Sequence, residues 1–207
     1  MRKQEVIRYF RILSKIYKRP CRVILTGAAL GTVYGGVRAT FDIDFALKMK
    51  SNSRKRREED WQAFADAIAK TTLRTGIAAQ YAEDIDRWSS ITYLDYENRT
   101  RLFKKFGSIE IRVLDPVYWA IGKLTRYLSP DIRDLIQILG RTKTPWRKLA
   151  QIAGRALRMS PKSTACFLFR MNVEDFLKSY GTQIWSKTFD SELAIRHFHK
   201  AAHIKLK

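Results

Sequence analysis

Residues 26–47, TGAALGTVYGGVRATFDIDFAL, decide the fold. Thr26 and Gly27 form the exit turn of a short apolar strand at 23–25, and residues 28–34 read as a short helix stopped by Gly35 and Gly36. Residues 40–47 then alternate in the period of a half-buried strand. Side chains two apart on a strand share a face, so Asp42 and Asp44 project together while Phe41, Ile43 and Phe45 face the other way. Two carboxylates that close repel unless a cation lies between them, and a divalent ion with a preference for hard oxygen ligands, Mg²⁺ or Mn²⁺, is the usual solution. The alternative is an acidic strand end facing solvent.

Gly27 sits where a strand hands over to a helix, so its backbone can approach a ligand closely, and free amides at a helix start favour phosphate. Thr40 shares a face with Asp42 and borders the same site, unless it serves only as a good strand former. Arg38, between turn and strand, is placed either to bind phosphate oxygens or as an ordinary surface arginine.

Outward from this stretch, residues 4–17 and 53–72 carry helical periodicity, and residues 77–81, 91–94 and 109–114 read as strands. Pro116 opens a helix to 128 and Pro130 another to 139. Beyond Gly140 the pattern is helical throughout, at 146–157, 163–169, 173–180 and 192–203. The fold class expected is therefore α/β (α+β): a mixed-sheet domain with an N-terminal helix over 1–141, followed by an all-helical region over 142–207.

Composition bounds the partners. Forty Lys and Arg against twenty Asp and Glu give a formal charge of +20, a field that attracts polyanions and suggests nucleic acid. An anionic membrane surface and generic basicity are the alternatives. Apolar residues make up 45% of the chain, enough for a packed core rather than disorder. Cys21 and Cys166 lack metal-ligand spacing and read as reduced thiols, and no run approaches the length of a membrane span, so a cytoplasmic location without membrane association is expected.

A second block, LDPVYWAIGKLTRYLSPDIRDLIQIL at 114–139, combines with the first. Together TGAALG, VRATFDIDFAL and this block resemble the DNA polymerase β-type nucleotidyltransferase superfamily. The second block is similar to the "KL…RD..DL" segment of nucleotidyltransferase toxins from toxin–antitoxin and abortive-infection systems. The resemblance covers about residues 22–140.

It implies that Asp42 and Asp44 bind metal, and that Thr26, Gly27, Ala28 and Arg38 lie along the triphosphate. Lys123 would neutralise phosphate charge, and Asp131 and Asp134 would match the two aspartates of the second block. Lys123 and Asp134 join Asp42 and Asp44 as the catalytic set, although a salt bridge between neighbouring helices is the alternative for Lys123 and its aspartates. Ala28 stands where relatives usually carry serine. Glu110 is a candidate third carboxylate, with a strand carboxylate paired to Arg112 or a lysine as its alternative.

The implied activity is transfer of a nucleotide from an NTP to a hydroxyl, with RNA, most specifically a tRNA 3′ end, as acceptor and an antitoxin as partner. The alternatives are a non-catalytic basic nucleic-acid-binding protein and a small-molecule (antibiotic) nucleotidyltransferase. A cationic drug would be repelled by a chain of this charge.

Overall fold

Alternation of apolar residues builds the sheet that carries the aspartates. In the computed structural model, which describes residues 1–36, 40–50 and 53–204, Cys21–Leu25 forms β1, Asp42–Met49 β2, Ala78–Ala82 β3, Thr100–Phe106 β4 and Ile109–Leu114 β5. Their spatial order is β3-β2-β1-β5-β4. β1 runs antiparallel to β2 and parallel to β5, so the sheet is mixed, as the α/β class requires. β2 and β3 pair in parallel, and β4 closes the far edge antiparallel to β5.

One face of the sheet carries Val23, Leu25, Ile43, Phe45, Ile111 and Val113, all buried. It is covered by α1 (Lys3–Ile16) and α3 (Arg54–Thr75). Phe45 is the hub of this layer. Phe10 of α1 meets it edge-on at 5.8 Å, Phe64 of α3 at 6.1 Å, and Tyr81 of β3 stacks on it at 5.5 Å. Full burial of a side chain of this size contributes about 1.5–3 kcal/mol. The layer therefore clamps the strand whose other face bears Asp42 and Asp44. Cys21 lies in the same core, and burial pushes its thiol up to about 12, which keeps it protonated and unreactive.

Packing divides the chain into two compact units, Met1–Ile85 with Thr100–Leu114, and Asp86–Arg99 with Asp115–Lys207. This division lies elsewhere than residue 141. The second unit comprises α4 (Pro116–Arg126), α5 (Ser129–Arg141), α6 (Trp146–Met159), α7 (Thr164–Ile184) and α8 (Ser191–Ala202). α4 packs with α5, α6 and α7, and α5 packs with α7.

α4 is capped by the Asp115 carboxylate, which accepts from Val117 N at 2.9 Å, and it ends at Tyr127 in the left-handed region. Pro130 then sits in the first turn of α5, where its missing N–H costs nothing. In α6, Gly154 lets α8 approach closely: a Cβ there would lie 2.6 Å from both the Ala201 Cβ and the Phe198 carbonyl.

Three elements differ from the sequence expectation. Residues 163–180 form one helix rather than two. Arg170 and Glu174 pair at 2.6 Å across one turn, and Asn172 Nδ2 donates to the Leu124 carbonyl at 2.8 Å, so the polar Arg170–Asn172 stretch remains helical. Residues 91–94 are a loop, because the Asp86 carboxylate accepts from Tyr93 N at 2.7 Å and takes over the bonding a strand neighbour would supply. A strand at 100–106 replaces it, with a register shift between Leu102 and Lys104 that breaks the alternation a sequence pattern can show.

Candidate functional site

Two groups of carboxylates emerge, one in each unit. In the first, Thr26 N donates to the Asp44 carbonyl at 2.9 Å, which lays the turn after β1 against the aspartate strand. Gly27 has φ +58, and a Cβ built on it would fall on the Asp44 carboxylate, 2.7 Å from its Cγ and 2.8 Å from its Cβ. The turn and the carboxylate thus occupy one another's van der Waals shell, and only glycine satisfies both the left-handed backbone and the space. The helix that follows, α2 (Gly27–Val33), has seven residues, so its contribution is this close approach rather than a strong dipole.

Asp42 and Asp44 share the sheet face opposite Phe45 and are both half-buried. Thr40 Oγ1 donates to Asp42 Oδ1 at 3.0 Å, as its shared face predicts. Gln80 Nε2 donates to Asp42 Oδ2 at 2.9 Å. Gln80 is the residue that sequence reading missed: β3 runs parallel to β2 and brings it into register with Asp44. Parallel register between segments 36 residues apart leaves no local pattern, so only its isolated polarity within IAAQYA hinted at a role.

Thr26 is buried and its side chain makes no capping bond to α2, while Ala28 brings no side-chain hydroxyl and its carbonyl accepts from Thr32 Oγ1 at 3.3 Å. Arg38 lies outside the described residues. Glu110 is removed from the pair: β5 places it in register with Arg22, and β1 places Arg22 opposite Lys48, four residues beyond Asp44. It bonds Arg112 at 2.7 Å and lies 3.7 Å from Arg22. The Arg112 hydrogen bond outweighs partial desolvation, and with Arg22 it holds the Glu110 carboxyl below the usual range. Glu110 is thus a strand carboxylate in an ion pair rather than a neighbour of Asp42.

The second group lies wholly in the helical unit. Lys123 Nζ donates to Asp131 Oδ1 at 2.8 Å and to Asp134 Oδ2 at 2.7 Å, with all three residues buried. The ammonium also lies 5.3 Å from the Trp119 ring centroid, and Arg126 adds a bond to Asp131 at 2.8 Å. Burial opposes the Asp131 charge most strongly of any single influence. Lys123 and Arg126 together outweigh it and hold the carboxyl below its ordinary value. Asp131 and Asp134 are one helical turn apart, so one ammonium bridges both. The helix does not run on from Lys123 to Asp131: it breaks at Tyr127, and the turn returns Asp131 to the lysine.

Two of the three histidines of α8 and its C-cap meet polar side chains: His199 is buried with Nε2 2.6 Å from Glu174, and His203 lies 2.6 Å from Arg158. Among the described residues no three His, Cys, Asp or Glu side chains form a cluster that could hold a metal. The donor set of Asp42 and Asp44 nevertheless suits Mg²⁺, which binds through one or two carboxylates and completes its shell with water and phosphate. No helix among the described residues is long and apolar enough to cross a membrane. Comparison with family models, curated proteins and solved structures finds no match to the chain.

Proposed function

We propose that the protein is a metal-dependent nucleotidyltransferase of the DNA polymerase β type that moves a nucleotide from an NTP to a hydroxyl, with RNA, and a tRNA 3′ end in particular, as acceptor. The observation that carries this reading is the packing of Gly27 directly on Asp44, beside Asp42 on the same strand face. A backbone turn that can approach a triphosphate is thereby joined to two hard oxygen donors.

Asp42 and Asp44 would hold Mg²⁺, which when bound supplies charge neutralisation and Lewis acidity at the α-phosphate. Thr40 and Gln80 orient Asp42, leaving lone pairs on both of its oxygens for a cation. In the reaction, the acceptor oxygen forms a bond to the α-phosphorus and the bond to the β-phosphate breaks. Pyrophosphate leaves and the hydroxyl proton passes to a carboxylate. Lys123 has two of its three donors committed to buried carboxylates, so it reaches phosphate only by exchanging one of them. In this reading it first holds Asp131 and Asp134 in place and keeps Asp131 ionised. A role as the toxin of a toxin–antitoxin or abortive-infection pair, with an antitoxin partner, belongs to the same reading.

A second reading is favoured by Gln80. An amide beside Asp42 is neutral, and a chain of charge +20 on such a scaffold would serve as a non-catalytic nucleic-acid-binding protein. Incubation with each α-labelled NTP, Mg²⁺ and total tRNA separates the two. Label transfer that disappears in Asp42→Ala/Asp44→Ala supports the transferase. RNA binding that survives the double substitution, with no transfer from wild type, sinks it.

A further inference from the structure

β4 is one of the two edge strands of the sheet and carries three exposed cations, Arg101, Lys104 and Lys105, and no acidic residue. Its exposed side chains include the apolar Leu102, 54% accessible. α1 packs beside it and adds exposed Lys3, Arg8 and Arg11. Among the described residues none of these six cations enters an ion pair, whereas Arg19, Arg54 and Arg57 of the same unit are matched to Asp60, Glu58 and Glu83.

Aromatic rings lie under two of the six. Lys3 Nζ is 5.6 Å from the Phe103 centroid, and the Arg101 guanidinium is 5.1 Å from that of Tyr34, within the range of cation–π attraction. A row of cations over aromatic rings fits phosphates and unpaired bases. A pairing β-strand fits poorly, because the lysines and the register shift at Leu102/Lys104 interrupt the edge ladder.

The edge also has a direction. Phe45, Leu25, Val113 and Arg101 are successive partners across the sheet. Arg101 therefore lies in the row next to Asp44, about 14 Å away across three strand spacings. From there Lys104 and Lys105 lead away from the aspartates, and Arg101 to Lys105 spans about 13 Å of extended chain.

We propose that β4 and the adjoining side of α1 bind the sugar-phosphate backbone of single-stranded RNA, with Arg101 nearest the Asp42–Asp44 end of the sheet. The proposal rests on the transferase reading only for calling this RNA the acceptor.

The test is fluorescence anisotropy with a labelled 12-nucleotide single-stranded RNA and the corresponding duplex over a salt series. Arg101→Glu/Lys104→Glu/Lys105→Glu is compared with wild type and with Lys55→Glu/Arg56→Glu, equally exposed cations on α3. The neutral triple R101Q/K104Q/K105Q is read instead if the melting temperature of the charge reversal falls. The expected result is a loss of tenfold or more for the edge variant, a salt slope smaller by about 2 from three lost phosphate contacts, and less than threefold loss for the α3 control. Equal losses for the two variants, or equal affinity for single strand and duplex, overturn the proposal. Edge-dependent binding without any nucleotide transfer leaves it standing and removes the transferase reading. Transfer abolished by Asp42→Ala/Asp44→Ala with edge-independent binding does the reverse.

Discussion

The molecule holds two pairs of aspartates at different depths, one half-buried and one buried. Asp42 and Asp44 stand two apart on a strand, half-buried, with the neutral donors Thr40 and Gln80 on Asp42. Asp131 and Asp134 stand three apart on a helix, buried, and are bridged by Lys123 with Arg126 alongside. The helical pair has counter-charge built into the chain, with Lys123 on both carboxylates and Arg126 on Asp131. On the strand pair, the neutral side chains of Thr40 and Gln80 donate to Asp42 and hold it in place. Similar sequence spacing thus produces a buried ion cluster in one unit and a half-buried candidate cation site in the other, and what separates them is burial.

The sharpest way to break this contrast is to remove the built-in cation. Lys123→Met leaves two buried carboxylates without their bridge and is expected to destabilise the protein by about 3–5 kcal/mol, read from urea melts. The triple Lys123→Met/Asp131→Leu/Asp134→Leu should recover most of that loss, because the desolvation of the charges is removed with them. Asp42→Asn/Asp44→Asn, by contrast, should change stability by less than about 1 kcal/mol, as expected for partly solvated groups. A loss comparable to Lys123→Met would show that the strand pair is structural as well.

pH sharpens the same comparison. Asp131 has a folded-state pKa below its ordinary value, so its contribution is fully present above the unfolded value of about 3.9 and is lost as pH falls toward the folded one. Stability should therefore be flat at neutral pH and decline below about pH 4. In Lys123→Met the part of that acid slope that comes from Asp131 should be lost, so the decline should be shallower than in wild type, which a series of melts from pH 3 to 7 checks.

Gly27→Ala should cost about 1–2 kcal/mol for a left-handed alanine, with more from the overlap on Asp44. It should also abolish nucleotide transfer by displacing the carboxylate. Unchanged transfer in a folded variant would separate the turn from the site. The smallest effect is expected of Gln80→Glu. A carboxylate beside Asp42 should raise Mg²⁺ affinity, seen as a larger Mg²⁺-dependent rise in melting temperature than in wild type. No rise in either protein would count against a metal at the strand pair.

The aspartate strand and its turn were legible because both are local: alternation over eight residues fixes which side chains share a face, and a glycine between strand and helix marks a close approach. The grouping of Lys123 with Asp131 was legible only through the resemblance of the second block. They lie on separate helices divided at Tyr127, and the turn between those helices brings Asp131 back to Lys123. Glu110 misled because alternation shows which face a residue occupies but not how far along the sheet it lies. Gln80 and the edge strand β4 escaped because one depends on parallel register and the other is interrupted by an irregular pairing.

Sequence alone thus determined the periodicities, the α/β class, the charge and the shared face of Asp42 and Asp44, all properties of neighbours along the chain. Tertiary structure alone decided that Lys123 bridges Asp131 and Asp134, that Gln80 rather than Glu110 lies beside Asp42, and that a row of cations lines the β4 edge. These depend on strand order and burial, which bring together residues that no local pattern connects.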